Sequence, residues 1–135
     1  MGDPRDALIQ RLLRENAELR HRIDRDTLTG LLSRRHFDER LEHEWLRAER
    51  FWTPLSLLSI DVEGLDAIGA EDGAEGVRQA FGWIGELLGH GCRDVDIPAR
   101  VGRTAFAVIL PSTNRTGAEA EVVRLRGLWR QRPAP

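Results

Sequence analysis

The chain has 135 residues, of which 41% are hydrophobic and 31% charged, a balance typical of one soluble domain with a modest core. Its net charge of −2 excludes a bulk basic surface for sequence-independent binding of nucleic acid, and all 20 basic residues are arginine. The single cysteine and four scattered histidines predict neither a disulfide nor a metal site, and the lack of a membrane-length apolar run or a secretory signal predicts a cytosolic location.

The N-terminal segment, residues 5–25, contains no Gly or Pro and is predicted to be a long helix. Apolar residues recur at alternating spacings of three and four, with one Asn in the same stripe. The predicted seam consists of Ile9, Leu12, Asn16, Leu19 and Ile23. Because Asn at an a position favours a parallel dimer, we predict a parallel homodimeric coiled coil. The alternative is a helix that packs this stripe on its own domain, since so few heptads are marginal in isolation.

The remaining elements alternate between helical and strand-like patterns. We predict a helix over residues 34–50, a strand over 55–62, loop and frayed helix over 64–76, a helix from Val77 to about residue 90, a hairpin with strands 97–101 and 105–110, and a helix over 116–130. The helix over residues 34–50 should bury Phe37, Leu41, Trp45 and Ala48, and the last helix should bury Ala120, Val123 and Leu128. This order predicts an α/β (α+β) fold with a small sheet covered by helices.

Four motifs occur in one order along residues 26–126. They are Asp26-x-Leu28-Thr29-Gly30-Leu31-x-Ser33-Arg34-Arg35-x-Phe37, Ile60-Asp61-Val62-Glu63, Arg93-x-x-Asp96, and Val101-Gly102-Arg103-Thr104-Ala105-Phe106 before an apolar strand. In these motifs the chain resembles the GGDEF family, the domain of diguanylate cyclases that makes cyclic di-GMP from two GTP. The resemblance implies a nucleotidyl-cyclase-like domain over residues 26–132, preceded by a coiled-coil helix over 1–25 and lacking the family's last strand and helix.

Several positions depart from the catalytic pattern that this resemblance implies. Thr104 and Ala105 replace the acids of the signature, and Arg103 replaces its second Gly, where the backbone approaches phosphate. Gly69 and Arg78 replace the guanine-reading residues, and Asp66 replaces a Lys. Asp61 matches a metal ligand of the family, and Glu63 is a tolerable substitute at the neighbouring acid. We therefore expect a degenerate domain that is not an enzyme, with no catalytic residue, no bound metal and no cofactor.

The resemblance also implies that this sequence retains the residues of one ligand site of the family. Arg93 and Asp96 stand at the family's spacing from Gly102, and Arg124 stands at a matching position on the last helix. The resemblance implies that these residues form the inhibitory site, which binds cyclic di-GMP. A guanidinium can bond guanine or phosphate bidentately, and a carboxylate accepts from the Watson–Crick edge of guanine. The alternatives are a local surface ion pair or unselected remnants of a decayed site.

The sequence thus predicts a receptor for cyclic di-GMP that acts through a homodimer on a protein partner. A ligand-independent dimerisation or scaffold module is the alternative. In that case the sheet edge beside residues 55–62, left open by the missing strand, would dock a partner strand. A third possibility, a residual enzyme, would need turnover of GTP with Mg²⁺ that depends on Asp61.

Overall fold

The computed structural model describes residues 3–23 and 25–132, and the side chains of residues 17–23 lie outside that description. In chain order its elements are α1 (Pro4–Ile23), α2 (Arg34–Phe51), β1 (Leu55–Asp61), α3 (Leu65–Gly91), β2 (Ile97–Arg100), β3 (Ala105–Pro111) and α4 (Arg115–Arg130). The predicted α+β fold with a small sheet is confirmed.

Strand β3 is the centre of a three-stranded sheet with the order β1-β3-β2. It pairs antiparallel with β1, where Leu58 faces Val108, and with β2, where Ala99 faces Ala107. Its sequence is a continuous apolar run because both of its faces are buried. The outer edge of β1 has no partner strand among the described residues.

Two clusters of buried residues lie on opposite faces of the sheet. One face of β3 packs against α3 and α4 through Phe106, Val108 and Leu110. The other face packs beside α2 through Ala107 and Ile109. The two-residue period of β3 therefore divides its side chains between two helical layers.

Helix α3 begins earlier than predicted. We expected loop and frayed helix over residues 64–76, and the loop part of this prediction is wrong, because the helix starts at Leu65, directly after Gly64 with its φ of 92°, and continues to Gly91. Only Gly73 interrupts it, with φ 69° and ψ −162°. Leu65 is buried and Ile68 packs against the same core, so apolar packing outweighs the Gly-rich composition of this segment.

The apolar faces of α2 and α4 also differ in part from the prediction. Trp45 is exposed, whereas the neighbouring Glu44 is buried. On α4 the predicted inward residues Ala120 and Val123 are exposed, and Leu125 is buried instead. A helix turns about 100° per residue, so an error of one or two positions moves a side chain from core to solvent.

The predicted dimer seam is only partly described. Ile9, Leu12 and Asn16 are exposed on α1 of this single chain, and the side chains of Leu19 and Ile23 are outside the described part. The coiled coil and its boundary at residue 25 stay predictions. Among the described helices, none combines the length and apolar character needed to cross a bilayer.

Candidate ligand site

The turn between α3 and β2 brings Arg93 and Asp96 into direct contact. The Asp96 carboxylate accepts hydrogen bonds from the backbone N–H of Arg93 at 2.9 Å and from its Nη2 at 2.8 Å, and Nε lies 3.1 Å from Oδ2. The backbone N–H of Asp96 donates to the carbonyl of Arg93 at 3.0 Å and closes the turn. The predicted pair is therefore a bidentate ion pair built on a four-residue turn.

The end of β3 holds the same guanidinium from a second side. Nη2 of Arg93 donates to Thr113 Oγ1 at 2.6 Å and to the carbonyl of Pro111 at 3.2 Å. Hydrogen bonding to the Asp96 carboxylate raises the pKa of Arg93 above its ordinary value, and the charge of Asp96 adds to this. Arg93 therefore stays a cation in a fixed orientation.

Arg124 reaches the site from the middle of α4. Its Nη2 donates to Glu121 Oε1 at 2.6 Å and to the carbonyl of Gly91, and its Nε lies 3.3 Å from the other Glu121 oxygen. Glu121 precedes Arg124 by three residues, which places both on one face of the helix. Sequence reasoning missed Glu121, although this spacing was the available signal.

The structure brings the two arginine–carboxylate pairs together around Cys92. Ligand atoms of Cys92, Asp96 and Glu121 all lie within 4.8 Å of one another. Burial raises the pKa of the Cys92 thiol to about 12, and the charges of Glu121 and Asp96 act in the same direction. A protonated thiol between two carboxylates that already bind arginines suits a structural role. It does not suit the binding of a metal cation, because a cysteine binds metal as the thiolate.

The two guanidinium groups remain partly open to solvent. The side chain of Arg93 is 49% exposed and that of Arg124 is 48% exposed. The hydrogen bonds found among the described residues use Nε and Nη2 of both arginines and leave Nη1 of each for another acceptor. The side chain of Asp96 is 0% exposed, so in this conformation it positions Arg93, and direct contact with a ligand requires Arg93 to swing aside.

At the tip of the hairpin, Arg103 and Thr104 of the fourth motif contact acidic side chains outside the hairpin. Thr104 Oγ1 donates to Asp61 Oδ1 at 3.0 Å, and Arg103 Nη2 donates to Asp66 Oδ1 at 2.8 Å. The replacements at residues 66 and 103 therefore form a salt bridge with each other. Asp61 and the exposed Glu63 are the carboxylates at the end of β1 that could take part in holding a divalent cation.

An ion pair between Asp26 and Arg100 connects the first motif to this hairpin. Asp26 accepts from Arg100 Nη1 at 3.0 Å, while Nη2 of Arg100 donates to the carbonyl of Arg103 at 2.7 Å. The guanidinium also lies 4.2 Å from the centre of the Phe81 ring. Sequence reasoning did not single out Arg100, because its partners are 74 positions away at residue 26 and on a separate helix.

The sequence model of one protein family, described as diguanylate cyclase, GGDEF domain, matches residues 23–135 of this chain. The chain belongs to the GGDEF family. Diguanylate cyclase DosC of Escherichia coli K12 is 35% identical over 123 residues, which are 85% of this GGDEF chain and 26% of DosC. Diguanylate cyclase DgcP of Pseudomonas aeruginosa is 33% identical over 101 residues, which are 75% of the chain and 15% of DgcP. The chain thus spans about a quarter or less of these curated relatives.

Solved structures agree with this assignment. Diguanylate cyclase SiaD in complex with its activator SiaC, from Pseudomonas aeruginosa, has a TM-score of 0.77 at 28% identity, over 90% of this chain and 47% of SiaD. The coiled coil and GGDEF domain of DgcB in complex with c-di-GMP, from Caulobacter crescentus, has a TM-score of 0.78 over 89% of this chain and 63% of DgcB. At 23% identity, the likeness to DgcB shows that the two chains share a fold.

The relatives correct one expectation from the sequence. The prediction that this chain is not an enzyme is wrong, because relatives at 33–35% identity are named diguanylate cyclases and are therefore enzymes. That prediction used a few motif positions such as Thr104 and Ala105, whereas the identity extends over 101 to 123 residues.

Proposed function

We propose that this GGDEF domain binds cyclic di-GMP at Arg93 and Arg124, with Asp96 and Glu121 holding the two guanidinium groups in place. The observation that carries the proposal is the meeting of both arginine–carboxylate pairs at one surface, with carboxylate oxygens of Asp96 and Glu121 within 4.8 Å of each other. The family resemblance had already implied one site of Arg93, Asp96 and Arg124, whereas Glu121 was not among its predicted residues.

The chemistry of the ligand suits this surface. Cyclic di-GMP carries two phosphates and two guanines, and a half-exposed guanidinium with an unused Nη1 can bond either group. Because Asp96 and Thr113 already orient Arg93, less conformational entropy is lost when a ligand binds. A surface ion pair between two flexible side chains lacks this preorganisation.

Isothermal titration calorimetry with cyclic di-GMP tests the proposal. Wild type should bind at micromolar protein, and Arg93→Ala or Arg124→Ala should weaken binding roughly tenfold to hundredfold, because each removes charged hydrogen bonds. Arg115→Ala is the matched control, since Arg115 lies on the same helix and pairs with Glu119 at 3.0 Å in an exposed position. Absence of heat with wild type would refute the proposal.

The N-terminal helix supports a proposal about assembly. We infer that residues 5–25 form a parallel homodimer through Ile9 and Leu12, that ligand changes the relative orientation of the two domains, and that a protein partner reads this change. The exposed apolar side chains at residues 9 and 12 support the dimer. SiaD, solved with an activator protein, is a family precedent for a partner.

Sedimentation measurements test the dimer. Leu12→Asp should convert a dimer to a monomer, while Ala7→Asp, at an exposed position off the seam, should leave it unchanged. A monomeric wild type would refute the dimer. Partner binding that ignores both cyclic di-GMP and Arg93→Ala would instead support a ligand-independent scaffold.

The named activity of the relatives is a second candidate function. Identity of 33–35% to diguanylate cyclases favours it, and Asp61 and Glu63 are the carboxylates available for a divalent cation. Incubation with GTP and Mg²⁺ should then yield cyclic di-GMP, and Asp61→Asn should abolish the product. Glu71→Gln, an exposed change on α3, serves as the control.

A further inference from the structure

A groove of about 860 Å³ adjoins the Arg93 site, and its volume falls within the range of small-molecule sites. Helix α2, the end of α3 and the turn that contains Arg93 and Asp96 contribute to its lining. The loop between α1 and α2, which we call the junction loop (residues 25–33), contributes as well. Its groove-lining residues are Arg25, Thr29, Gly30, Leu31 and Leu32. The segment that follows the proposed dimer helix therefore shares a cavity with the ligand site.

Backbone pairing holds the junction loop against the sheet. Leu32 pairs with Arg25 within the loop and with Ala99 of β2. The backbone N–H of Arg100 also donates to the carbonyl of Leu32 at 2.9 Å. These contacts fix the backbone of Arg25 relative to β2, although Arg25 lies only two residues after Ile23, the last residue of α1.

The groove contains two guanidinium groups that neighbouring residues orient. Arg25 is exposed, and its Nη1 donates to the carbonyl of Gly30 at 2.9 Å. Arg93 is oriented by Asp96 and Thr113, as described above. A guanidinium has five N–H donors and can bond one phosphate with two of them. Two oriented cations therefore line one cavity from separate segments of the chain, one before α2 and one after α3.

Two such cations suit a ligand that has two separate phosphates. Cyclic di-GMP is of this kind, because its ring joins two nucleotides through two phosphates. A guanidinium at each phosphate provides two charge-assisted contacts, which are stronger than contacts between neutral groups. The orientation of both side chains before binding lowers the entropy that is lost when they bind.

We propose that Arg25 is a third arginine of the cyclic di-GMP site, and that it contacts one phosphate of the ligand while Arg93 contacts the other. The inference rests on the proposed function and adds to it a residue of the junction loop. A ligand bound in this way joins the junction loop to the turn after α3. It thereby contacts the segment that continues into α1. A ligand shifts the equilibrium between two dimer arrangements only through contacts that differ between them, and Arg25 provides a contact of this kind.

Calorimetry with cyclic di-GMP at low and at high salt tests the role of Arg25. At low salt, Arg25→Ala should weaken binding roughly tenfold or more, because it removes charged hydrogen bonds. The loss should be smaller at high salt, since salt screens the attraction between an exposed cation and a phosphate. A purely structural effect of the substitution would not depend on salt in this way. Arg25→Lys should recover part of the affinity at low salt, because it keeps the charge and loses the planar fork.

Arg34→Ala is the matched control. Arg34 is an exposed arginine at the start of α2 that bonds Asp38 at 3.2 Å, and it lines a separate cavity beside Gly102 and Arg103. Its substitution removes an equal charge and should leave the affinity unchanged. An equal loss in Arg34→Ala would show a general effect of charge and would refute the contact at Arg25.

The remaining outcomes separate this inference from the proposed function. If Arg25→Ala does not fold, as judged by its melting curve, Arg25→Gln should show the loss of affinity, since it keeps N–H donors without the charge. Wild-type affinity in a folded Arg25 variant, or a loss of the same size at both salt concentrations, refutes the role of Arg25 while the proposed function stands. Wild type that does not bind cyclic di-GMP refutes both.

Discussion

The ion pair between Asp26 and Arg100 connects the segment after α1 to the hairpin, and its loss should destabilise the whole domain. The Asp26 carboxylate accepts from Arg100 Nη1 at 3.0 Å and from the N–H and Oγ1 of Thr29, each at 2.8 Å. The Arg100 side chain is 16% exposed and that of Asp26 is 17% exposed, so water screens the pair weakly. Asp26→Asn and Arg100→Met remove the charges while keeping most of the volume.

The geometry sets the expected magnitude. A hydrogen bond to a charged group contributes about 1.5–3 kcal/mol, and breaking a fully buried pair costs about 3–5 kcal/mol. Because this pair is mostly but not fully buried, each single variant should lose about 2–3 kcal/mol of the free energy of unfolding. In a double-mutant cycle the coupling between the two residues should be about 2 kcal/mol.

Urea unfolding monitored by circular dichroism measures these values. The exposed pair of Arg115 and Glu119 is the matched control, and its cycle should give under about 1 kcal/mol. A coupling between Asp26 and Arg100 no larger than that of the control would refute the reasoning, because burial would then not strengthen the interaction.

The loss of stability caused by Asp26→Asn should depend on pH. Burial alone would raise the pKa of the Asp26 carboxyl, but its hydrogen bonds from Thr29 and Arg100 outweigh burial and hold that pKa below the ordinary value of 3.8. Since the folded pKa is the lower one, the stabilisation is complete above pH 3.8 and is lost as the pH falls through the folded pKa. The stability difference between wild type and Asp26→Asn should therefore shrink only in acid, and a constant difference would contradict this.

Two further predictions concern positions in and after α3. A Cβ at Gly85 would overlap the backbone carbonyl of Thr29, so Gly85→Ala should lower the free energy of unfolding by about 1–3 kcal/mol. A Cβ at Gly82 would have open space around it, so the control Gly82→Ala should raise the free energy of unfolding by about 0.5–1 kcal/mol. Equal effects in urea unfolding would contradict the close approach at Thr29. Burial raises the pKa of Cys92 to about 12, so native protein should react with a thiol reagent at pH 8 far more slowly than unfolded protein, and equal rates would show the thiol to be accessible.

The candidate site was predictable only in part. Arg93 and Asp96 lie on one turn, so their pairing follows from local spacing. Glu121 was accessible to the same reasoning through its helical spacing from Arg124. The facing of α2 was not predictable in the same way, because the spacing of its apolar residues indicated that Trp45 faced the core, and only the packed structure shows Glu44 buried and Trp45 exposed.

The sequence by itself determined the family, the α+β fold, the hairpin and the identity of Arg93 and Arg124 as proposed ligand residues, because these depend on local patterns and on motifs at short spacing. Tertiary structure decided which side chains meet. It placed Glu121, which bonds Arg124, beside Cys92 and Asp96, joined Asp26 to Arg100 across 74 positions, and extended α3 through a Gly-rich segment. These outcomes depend on contacts between distant segments and on the burial of apolar side chains in a shared core, which no local pattern records.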